Sequence, residues 1–242
     1  LFRSQFDMKT QTMFVLGVLL VVTFGAVHGA VVDRITSVDL DELVDYGALV
    51  DRLLEETRAK IPDRLPFTQL HYERKTWDAA DERFDVLEKL EGVDGHLELG
   101  SFKRDGVPNL QGPTNDQILE SKFIIGLTIT YDNFTSDNFT SGEKANGQMT
   151  ISYDKAEIIT WISIQKGSDS CSSSLQNFLP STLSDPTVTF SSSTSEGLPQ
   201  RLFSEAKDTM NFYLNRTLVT QGLPTFASVV AGPDLCSSLL YN

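Results

Sequence analysis

Apolar side chains recur at steps of three and four residues between Asp39 and Pro62. Asp39 and Glu42 have the spacing of a capping box, with Asp39 as the N-cap. Gly47 falls on the apolar face, where a second backbone could approach closely, and Pro62 ends the pattern. The sequence therefore predicts a long amphipathic helix whose apolar face is formed by Leu43, Tyr46, Val50, Leu54, Thr57 and Ile61.

From residue 93 the period changes to two, with apolar and polar residues alternating. This pattern is typical of antiparallel strands that bury one face. Residues 67–91 are ambiguous, because 67–72 fit a strand whereas 77–87 fit a short helix. The buried strand positions that we predict are Leu97, Leu99, Phe123, Ile125, Leu127, Ile129, Tyr131, Met149, Ile151, Tyr153, Ile158, Ile162, Ile164, Val188 and Phe190.

Near the C-terminus the period of 3.6 returns, and a second long helix is predicted. Pro199 suits its first turn, and Gly222 with Pro224 indicates its end. Asn215 projects about 140° away from Met210, which places Asn215 on the solvent side. The apolar face of this helix consists of Phe203, Ala206, Met210, Tyr213, Leu214 and Thr217.

A helix, several antiparallel strands and a second helix make an α+β fold. Each helix presents an apolar stripe about 30 Å long, and one curved sheet can bury both stripes by wrapping around the two long amphipathic helices. The seam between sheet and helices is then long, narrow and apolar. Such a seam can hold a lipid-like ligand, but the same pattern also fits a closed, packed core.

The N-terminal segment has the order of a secretory signal peptide. Lys9 supplies the positive charge, residues 13–24 form an uncharged apolar run, and Val27 and Gly29 are small residues before a cut. The run is shorter than the roughly 20 residues that span a bilayer. We expect a signal peptide over 8–29.

The remaining boundaries follow from that cleavage. Residues 1–7 are interpreted as a leader outside the fold, and residues 30–242 as a single domain of a secreted, extracellular protein. No later apolar run is long enough for stable membrane insertion. No feature of the sequence predicts an oligomeric state.

The charge of the processed chain restricts its partners. Residues 30–242 contain 18 basic and 32 acidic residues, a formal net charge of −14. An acidic surface repels nucleic acid and anionic membranes within a Debye length. We therefore expect no nucleic-acid partner.

The two cysteines and three sequons are consistent with export. In an oxidising compartment Cys171 and Cys236 are expected to form a disulfide, although separate thiols are the alternative. A loop of 65 residues would gain about 4 kcal/mol from the cross-link. Asn133, Asn138 and Asn215 are predicted glycosylation sites, the first two within a duplicated pentapeptide interpreted as a loop insertion.

Catalytic and metal-binding motifs are missing from the sequence. The processed chain contains only His71 and His96, and it has no Gly-x-Ser-x-Gly, His-Glu-x-x-His or Cys-x-x-Cys motif. The 32 acidic residues offer carboxylate pairs, but the pattern favours no particular pair. We expect no enzyme activity, no catalytic residues, no bound metal and no cofactor.

Two strand segments resemble a known family. Residues 95–99, Gly-His-Leu-Glu-Leu, together with Phe102, Gly106, Val107 and Leu110, are similar to the strand-and-turn signature of the group 7 mite allergens. These belong to the superfamily of bactericidal/permeability-increasing, lipopolysaccharide-binding and juvenile-hormone-binding proteins. Residues 147–153 resemble that superfamily's glycine-led second strand.

The resemblance implies a super-rolled antiparallel sheet around long helices, an apolar cavity for lipidic ligands and no catalysis. The net charge of −14 argues against recognition of lipopolysaccharide headgroups.

The leading hypothesis is a secreted carrier of a hydrophobic or lipid-like small molecule. The alternative is a secreted recognition protein, allergen-like or innate-immune, with a closed core. For the carrier, the residues predicted to line the interior are Leu43, Val50, Leu54, Leu97, Leu99, Phe123, Ile125, Leu127, Ile129, Met149, Ile151, Phe203, Met210 and Leu214.

Overall fold

The structure, a computed structural model, describes residues 45–113, 115–167, 170–192, 197–232 and 235–236. The predicted signal peptide, the Asp39 capping box and Leu43 lie outside these residues. The elements are α1 (Tyr46–Lys60), β1 (Arg64–Pro66), β2 (Leu70–Asp78), β3 (Arg83–Arg104), β4 (Asn109–Gln111), β5 (Asp116–Asn138), β6 (Lys144–Lys166), β7 (Cys171–Leu183), β8 (Thr187–Ser192), α2 (Gly197–Thr217), a π-helical segment (Leu218–Gly222) and α3 (Leu223–Val230).

Helix α1 is shorter than the sequence predicts. Its N-cap is Asp45, whose carboxylate accepts a hydrogen bond from the backbone N–H of Ala48 at 3.0 Å. It ends at Lys60, because Ile61 is extended and precedes a proline. Its 15 residues make a helix about 22 Å long. Two helices of about 30 Å were expected, and only α2 reaches that length.

One large antiparallel sheet forms the body of the molecule, as the alternating pattern predicts. The path through it runs β1–β3–β5–β6–β7, while β2 pairs with β3, β4 with β5, and β8 with β6. The sheet is built on three strands of 22 or 23 residues, β3, β5 and β6. The predicted strand positions from Met149 to Ile164 all lie in the single strand β6.

The central strands change register near their middles, at two facing glycines. The register shifts between Leu99 and Phe102 in β3, and again between Ile125 and Leu127 in β5. A Cβ on Gly100 would lie 3.1 Å from the carbonyl oxygen of Gly126, so side chains here would keep the strands apart. Irregularities of this kind bend a sheet, and they let long strands curve around the helices.

Alternate residues of the long strands point to the covered face of the sheet. In β5 the buried side chains fall on every second residue from Leu119 to Tyr131. Helix α1 packs against β3 and α3, whereas α2 packs against β2, β3, β5 and β6. The α+β fold, with its antiparallel sheet and long C-terminal helix, is therefore confirmed.

The C-terminal helix does not stop where the sequence predicts. Gly222 has helical backbone angles, and it joins the π-helical segment directly to α3. Pro224 lies in the first turn of α3, where a proline costs no backbone hydrogen bond. The predicted stop at Gly222 and Pro224 was wrong, because a 3.6-residue period does not represent the π-helical turn that comes before α3.

Two further local predictions are corrected. The ambiguous segment forms a β-hairpin of β2 and the first part of β3, with no helix. The duplicated pentapeptides are not a loop insertion, because residues 132–138 belong to β5 and only the second copy continues into the turn before β6. None of the helices described is both long and apolar enough to cross a membrane.

Candidate functional site

Helices and sheet bury the residues that the sequence assigns to the interior. Of the fourteen predicted positions, Leu43 lies outside the described residues. The other thirteen are all buried, with at most 6% of the side chain exposed: Val50, Leu54, Leu97, Leu99, Phe123, Ile125, Leu127, Ile129, Met149, Ile151, Phe203, Met210 and Leu214. Their burial agrees with a shared interior, but it does not distinguish a ligand site from a packed core.

Beneath α2 the hydroxyls of two buried tyrosines are both paired. The hydroxyl of Tyr131 donates to the carbonyl oxygen of Thr68 at 3.0 Å, and that of Tyr153 donates to Oδ1 of Asn211 at 2.8 Å. Burial raises the pKa of both phenols. Each ring thus contributes apolar contact in the core, and its hydroxyl is satisfied. We call this region, under α2, the α2 side.

The glycines of the family-like motif explain how Tyr131 fits. A Cβ on Gly92 would lie 2.8 Å from the Tyr131 ring, and one on Gly95 would lie 2.7 Å from it. Both glycines are therefore required by the ring that crosses β3. Between them Asp94 has a φ of 55°, so the strand is irregular at this point. Gly95 of the family-like motif therefore serves the packing of Tyr131 against β3.

The other half of the interior, enclosed by α1, the π-helical segment and α3, contains a cluster of aromatic rings. Phe123 stacks on Phe102 and on Phe226, with ring centroids 5.6 and 5.9 Å apart. Phe178 from β7 contacts Phe123 and Phe226 at 6.1 and 5.9 Å. We call this region the cavity side.

A small cavity lies on the cavity side, with a volume of about 10 Å³. Thr57 is the one lining residue with a polar side chain. Its Oγ1 is buried and has no hydrogen-bond partner among the described residues. The lining residues come from α1, four strands and the π-helical segment: Thr57, Ile61, Leu99, Phe102, Ile125, Ile158, Phe178, Leu218 and Gly222.

Phe102 lines both this cavity and a groove outside it. The groove has a volume of about 370 Å³ and is bordered by Asp51, Glu55, Lys103 and Arg104 as well. Arg104 donates to both carboxylate oxygens of Asp51, at 2.9 and 3.1 Å. The ring of Phe102, which is only partly buried, lies where cavity and groove approach each other.

The expectation for Gly47 needs correction at this groove. A Cβ there would lie 3.0 Å from Nη2 of Arg104. The glycine of α1 thus makes room for a guanidinium group, and no second backbone approaches it.

A disulfide closes the cavity side, as the cysteine count predicts. Cys171 at the start of β7 is bonded to Cys236, with Cα atoms 5.4 Å apart. Next to it, the hydroxyl of Ser173 donates to the carbonyl oxygen of Val230 at 2.6 Å. Together these bonds attach the end of α3 to β7, and β7 supplies Phe178 to the cavity.

A buried carboxylate ties the α2 side together. Glu88 of β3 is 1% exposed and accepts hydrogen bonds from Arg201 of α2 and from Nδ2 of Asn138 at 2.8 Å. Arg74 of β2 forms a further ion pair with it at 2.6 Å. The guanidinium of Arg201, more than that of Arg74, lowers the pKa of Glu88. One carboxylate thereby joins three strands and a helix.

The three sequons lie in different surroundings. Asn133 is exposed, and its Nδ2 donates to Asp94 at 3.3 Å. Asn138 is half-buried because its amide group binds Glu88. Asn215 is also half-buried, with an Oδ1 that has no partner among the described residues. The helical angle predicts Asn215 on the solvent side, whereas the residue is half-buried in the structure.

Seven of the nine cavity residues were not among the predicted lining positions: Thr57, Ile61, Phe102, Ile158, Phe178, Leu218 and Gly222. Ile61 and Ile158 were predicted only as apolar or buried positions, and Phe102 only as part of the family-like motif. Phe178 lies in strand β7, where it is next to Asn177 and Leu179 and two residues from Gln176 and Pro180, so no regular alternation of apolar and polar residues identifies it. Leu218 and Gly222 belong to the π turn, whose geometry a 3.6-residue period does not represent. Thr57 fell on the predicted apolar face, but its hydroxyl was not recognised as a candidate polar contact.

No protein-family model matches this sequence, and no curated protein does. Among solved structures, the chain is similar to lipopolysaccharide binding protein at 15% identity and a TM-score of 0.47, over 81% of this chain and 38% of that one. It is also similar to Takeout 1 of Epiphyas postvittana at 15% identity and a TM-score of 0.31, over 81% of this chain and 91% of that one.

The chain thus matches well under half the length of lipopolysaccharide binding protein. Neither of these two proteins is a group 7 mite allergen. We assign no function from these similarities, because both TM-scores are below 0.5.

Proposed function

We propose that this protein is a secreted carrier that binds a hydrophobic or lipid-like small molecule on the cavity side. The observation that carries this proposal is the cavity between α1, the π-helical segment and the sheet, which is lined by apolar side chains except at Thr57. Burial of apolar ligand surface contributes about 25 cal/mol per Å². A π turn at the wall also favours a binding role, since such turns are frequent at functional sites.

Ligand entry requires the cavity to expand. A volume of about 10 Å³ is no more than the space of one water molecule. The neighbouring groove of about 370 Å³ is within the range of small-molecule sites. Rotation of the Phe102 ring would join the two spaces, and we propose this as the way in.

Uptake of a fluorescent apolar probe, N-phenyl-1-naphthylamine, tests the carrier. The delipidated full-length chain, expressed through a eukaryotic secretory pathway, is titrated with the probe, and native mass spectrometry of the undelipidated protein reports co-purified lipid. We expect saturable uptake at one site per chain. In Gly222→Met a longer side chain enters the cavity next to Phe178, 3.4 Å from the position of a Cβ, and uptake should fall at least tenfold.

A matched control carries the same substitution in open space. A Cβ on Gly197, at the start of α2, would meet no atom within 4 Å. Gly197→Met should therefore bind the probe as the wild type does. A clean unliganded mass with no probe uptake would contradict the carrier.

The second candidate function is recognition of another molecule by the outer surface, with the core closed. The small cavity favours it, and so does an aromatic pair at the tip of the β2–β3 hairpin. Trp77 and Phe84 are 54% and 65% exposed and lie 5.0 Å apart in an edge-to-face arrangement. Under this alternative no lipid co-purifies, and the probe is not bound.

Export and glycosylation remain part of the proposal. Of the three sequons, Asn133 is the most accessible in the folded chain, whereas Asn138 and Asn215 are half-buried. Glycopeptide mass spectrometry of the secreted protein should find the highest occupancy at Asn133. Its N-terminal peptide should begin near Ala30.

A further inference from the structure

The outer face of the sheet, opposite the helices, has an apolar patch at one end. Ile118 of β5 and Leu179 of β7 are each 45% exposed. Single exposed apolar residues are common, but a contiguous group of them indicates an interaction site. With three half-buried neighbours these two residues form what we call the outer patch: Ile118, Ile124, Ile159, Trp161 and Leu179.

The pairing of the strands makes these residues neighbours. Ile159 of β6 pairs with Leu179 of β7, and Trp161 lies two residues further along β6 on the same face. On β5, Ile118 and Ile124 lie diagonally beside Trp161 and Ile159. From the spacings of strands and residues, the patch measures about 10 Å by 20 Å. Further along β5 and β6 the outward residues are serines and threonines.

Two residues of opposite charge lie within the outer patch. Glu120 and Lys122 both point to the outer face of β5, and in the described part of the chain neither forms a salt bridge or a side-chain hydrogen bond. In β3 the same spacing brings Lys89 and Glu91 together at 2.8 Å. The two charges on β5 are therefore available to a binding partner.

The order of the outward residues along β5 is self-complementary. Ile118, Glu120, Lys122 and Ile124 follow one another on the outer face. A two-fold axis that crosses the strand at Ser121 would place Glu120 of one copy opposite Lys122 of a second copy. The same axis would place Ile118 opposite Ile124. In such an isologous contact, the same residues of both copies meet each other.

The neighbouring strand follows the same symmetry. In β6, Trp161 is in register with Glu120 and Ile159 with Lys122. The axis would therefore place Trp161 opposite Ile159 of the second copy, twice in the pair. Two sheets pack face to face about 10 Å apart with their strands nearly aligned, and this spacing suits large apolar side chains between them.

We propose that the outer patch binds a second copy of this chain in an isologous dimer, with two ion pairs between Glu120 and Lys122. The net charge of −13 of the whole chain makes copies repel each other, whereas the charges on this part of β5 are balanced. The patch is smaller than the roughly 800 Å² that each partner buries in a standard interface, so the dimer is weak. This inference is independent of the carrier function.

Charge reversal tests the position of the axis. Sedimentation equilibrium of the full-length secreted chain from about 1 µM to 1 mM should show monomers in equilibrium with dimers. Glu120→Lys or Lys122→Glu alone puts like charges opposite each other twice, and each should weaken self-association at least tenfold. An equimolar mixture of the two variants makes both contacts complementary again, so heterodimers should form as readily as wild-type dimers.

Two controls accompany the charge variants. Leu179→Ser removes apolar surface at the edge of the patch and should also weaken the dimer. Lys89→Glu makes a matched reversal on the outer face of β3, away from the patch, and should leave self-association unchanged. All these positions are at the surface, and circular dichroism should show the wild-type fold in each variant.

The other outcomes overturn the inference. A wild-type chain that stays monomeric at the highest concentration has no such interface. A dimer that tolerates both single reversals, or that the mixture does not restore, uses another surface. If the monomer instead binds phosphatidylcholine vesicles, and Leu179→Ser abolishes that binding, the patch contacts a lipid surface and not a second copy.

Discussion

The two sides of the interior use similar side chains, but the cavity side has an empty space among them. On the α2 side, the hydroxyls of Tyr131 and Tyr153 both have partners, and Met210 packs beside them with its sulfur 4.0 Å from the Tyr131 oxygen. On the cavity side, two members of the aromatic cluster, Phe102 and Phe178, border a small empty space, and the hydroxyl of Thr57 is unpaired among the described residues. The α2 side also buries two oxygens without a partner among the described residues, Ser136 Oγ and Asn215 Oδ1, so the empty space, and not pairing alone, distinguishes the two sides.

This difference indicates that the cavity side is the less stable part of the fold. A void and an unpaired hydroxyl each make the folded state less stable, and natural proteins retain such defects mainly where function requires them. The cavity side also contains the helix irregularity and the disulfide. The disulfide gives this side a covalent link between β7 and the segment after α3.

The largest effect should come from removing the disulfide. In Cys171→Ser/Cys236→Ser the cross-link over 65 residues is lost, and the free energy of unfolding should fall by about 4 kcal/mol. Thermal unfolding measures this as a Tm lower by about 8–16 °C. Hydrogen exchange should increase in α3 and β7 and remain low in α2, since only the former are joined by the bond. Uniform loosening would show that the two sides are not independent.

A smaller but still large effect is expected at Glu88, on the α2 side. Glu88→Gln removes the charge that binds Arg201 and Arg74, and the free energy of unfolding should fall by about 2 kcal/mol. This loss is smaller than for a fully buried ion pair, because both guanidinium groups are about half-exposed. Hydrogen exchange should now increase in α2 and β2, the reverse of the disulfide variant. A change confined to α3 and β7 would contradict the assignment.

The same variant has a defined pH dependence. The pKa of Glu88 is lowered in the folded protein from an ordinary value of 4.5, so its ion pairs stabilise the fold above that value. This stability is lost as the pH falls below 4.5 through the folded pKa. Between pH 5 and pH 3, wild-type Tm should therefore fall more steeply than that of Glu88→Gln. Parallel curves would show that Glu88 titrates alike in both states.

The paired and unpaired hydroxyls should respond to removal with opposite signs. Tyr131→Phe leaves the carbonyl oxygen of Thr68 without its donor and should cost about 1 kcal/mol. Thr57→Val, in contrast, should stabilise the free protein. Chemical denaturation of both variants under identical conditions measures the contrast, with Tyr153→Phe as a second example of a paired hydroxyl. Losses of equal size for Thr57→Val and Tyr131→Phe would remove the distinction between the two sides.

The sheet and the α2 side could be predicted from the sequence because their signals are periodic. Alternation along β5 and the 3.6-residue stripe of α2 identified buried positions such as Ile129 and Met210, and these are buried in the structure. The cavity side could not be predicted in the same way. Phe178 is part of no regular alternation in β7, and the π turn at Leu218 has no 3.6-residue period.

The roles of polar residues were even harder to predict from the sequence, because these roles depend on partners that are distant along the chain. Thr57 fits an apolar helix face by spacing alone, and whether its hydroxyl is paired depends on the tertiary structure. Asn138 has the sequence of a glycosylation site, yet its amide binds Glu88, 50 residues earlier. Gly95 was identified as part of a motif, but a glycine is needed there because the ring of Tyr131 on the neighbouring strand β5 leaves no room for a Cβ.

The smallest effect, and the most direct test of the cavity side, is expected from Gly222→Ala. Gly222 has φ −77° and ψ −44°, so alanine fits the backbone, and its Cβ would lie 3.4 Å from Phe178 in ordinary contact. Replacing a helical glycine by alanine should stabilise the free protein by about 0.5–1 kcal/mol. The methyl group also takes up part of the cavity, so affinity for the apolar probe should fall as stability rises.

A denaturation midpoint and a probe titration on the same sample measure stability and affinity. The control Gly197→Ala, in open space at the start of α2, separates the effect of filling the cavity from that of replacing a glycine. If Gly222→Ala gained both stability and affinity, the void would be a packing defect and not a site.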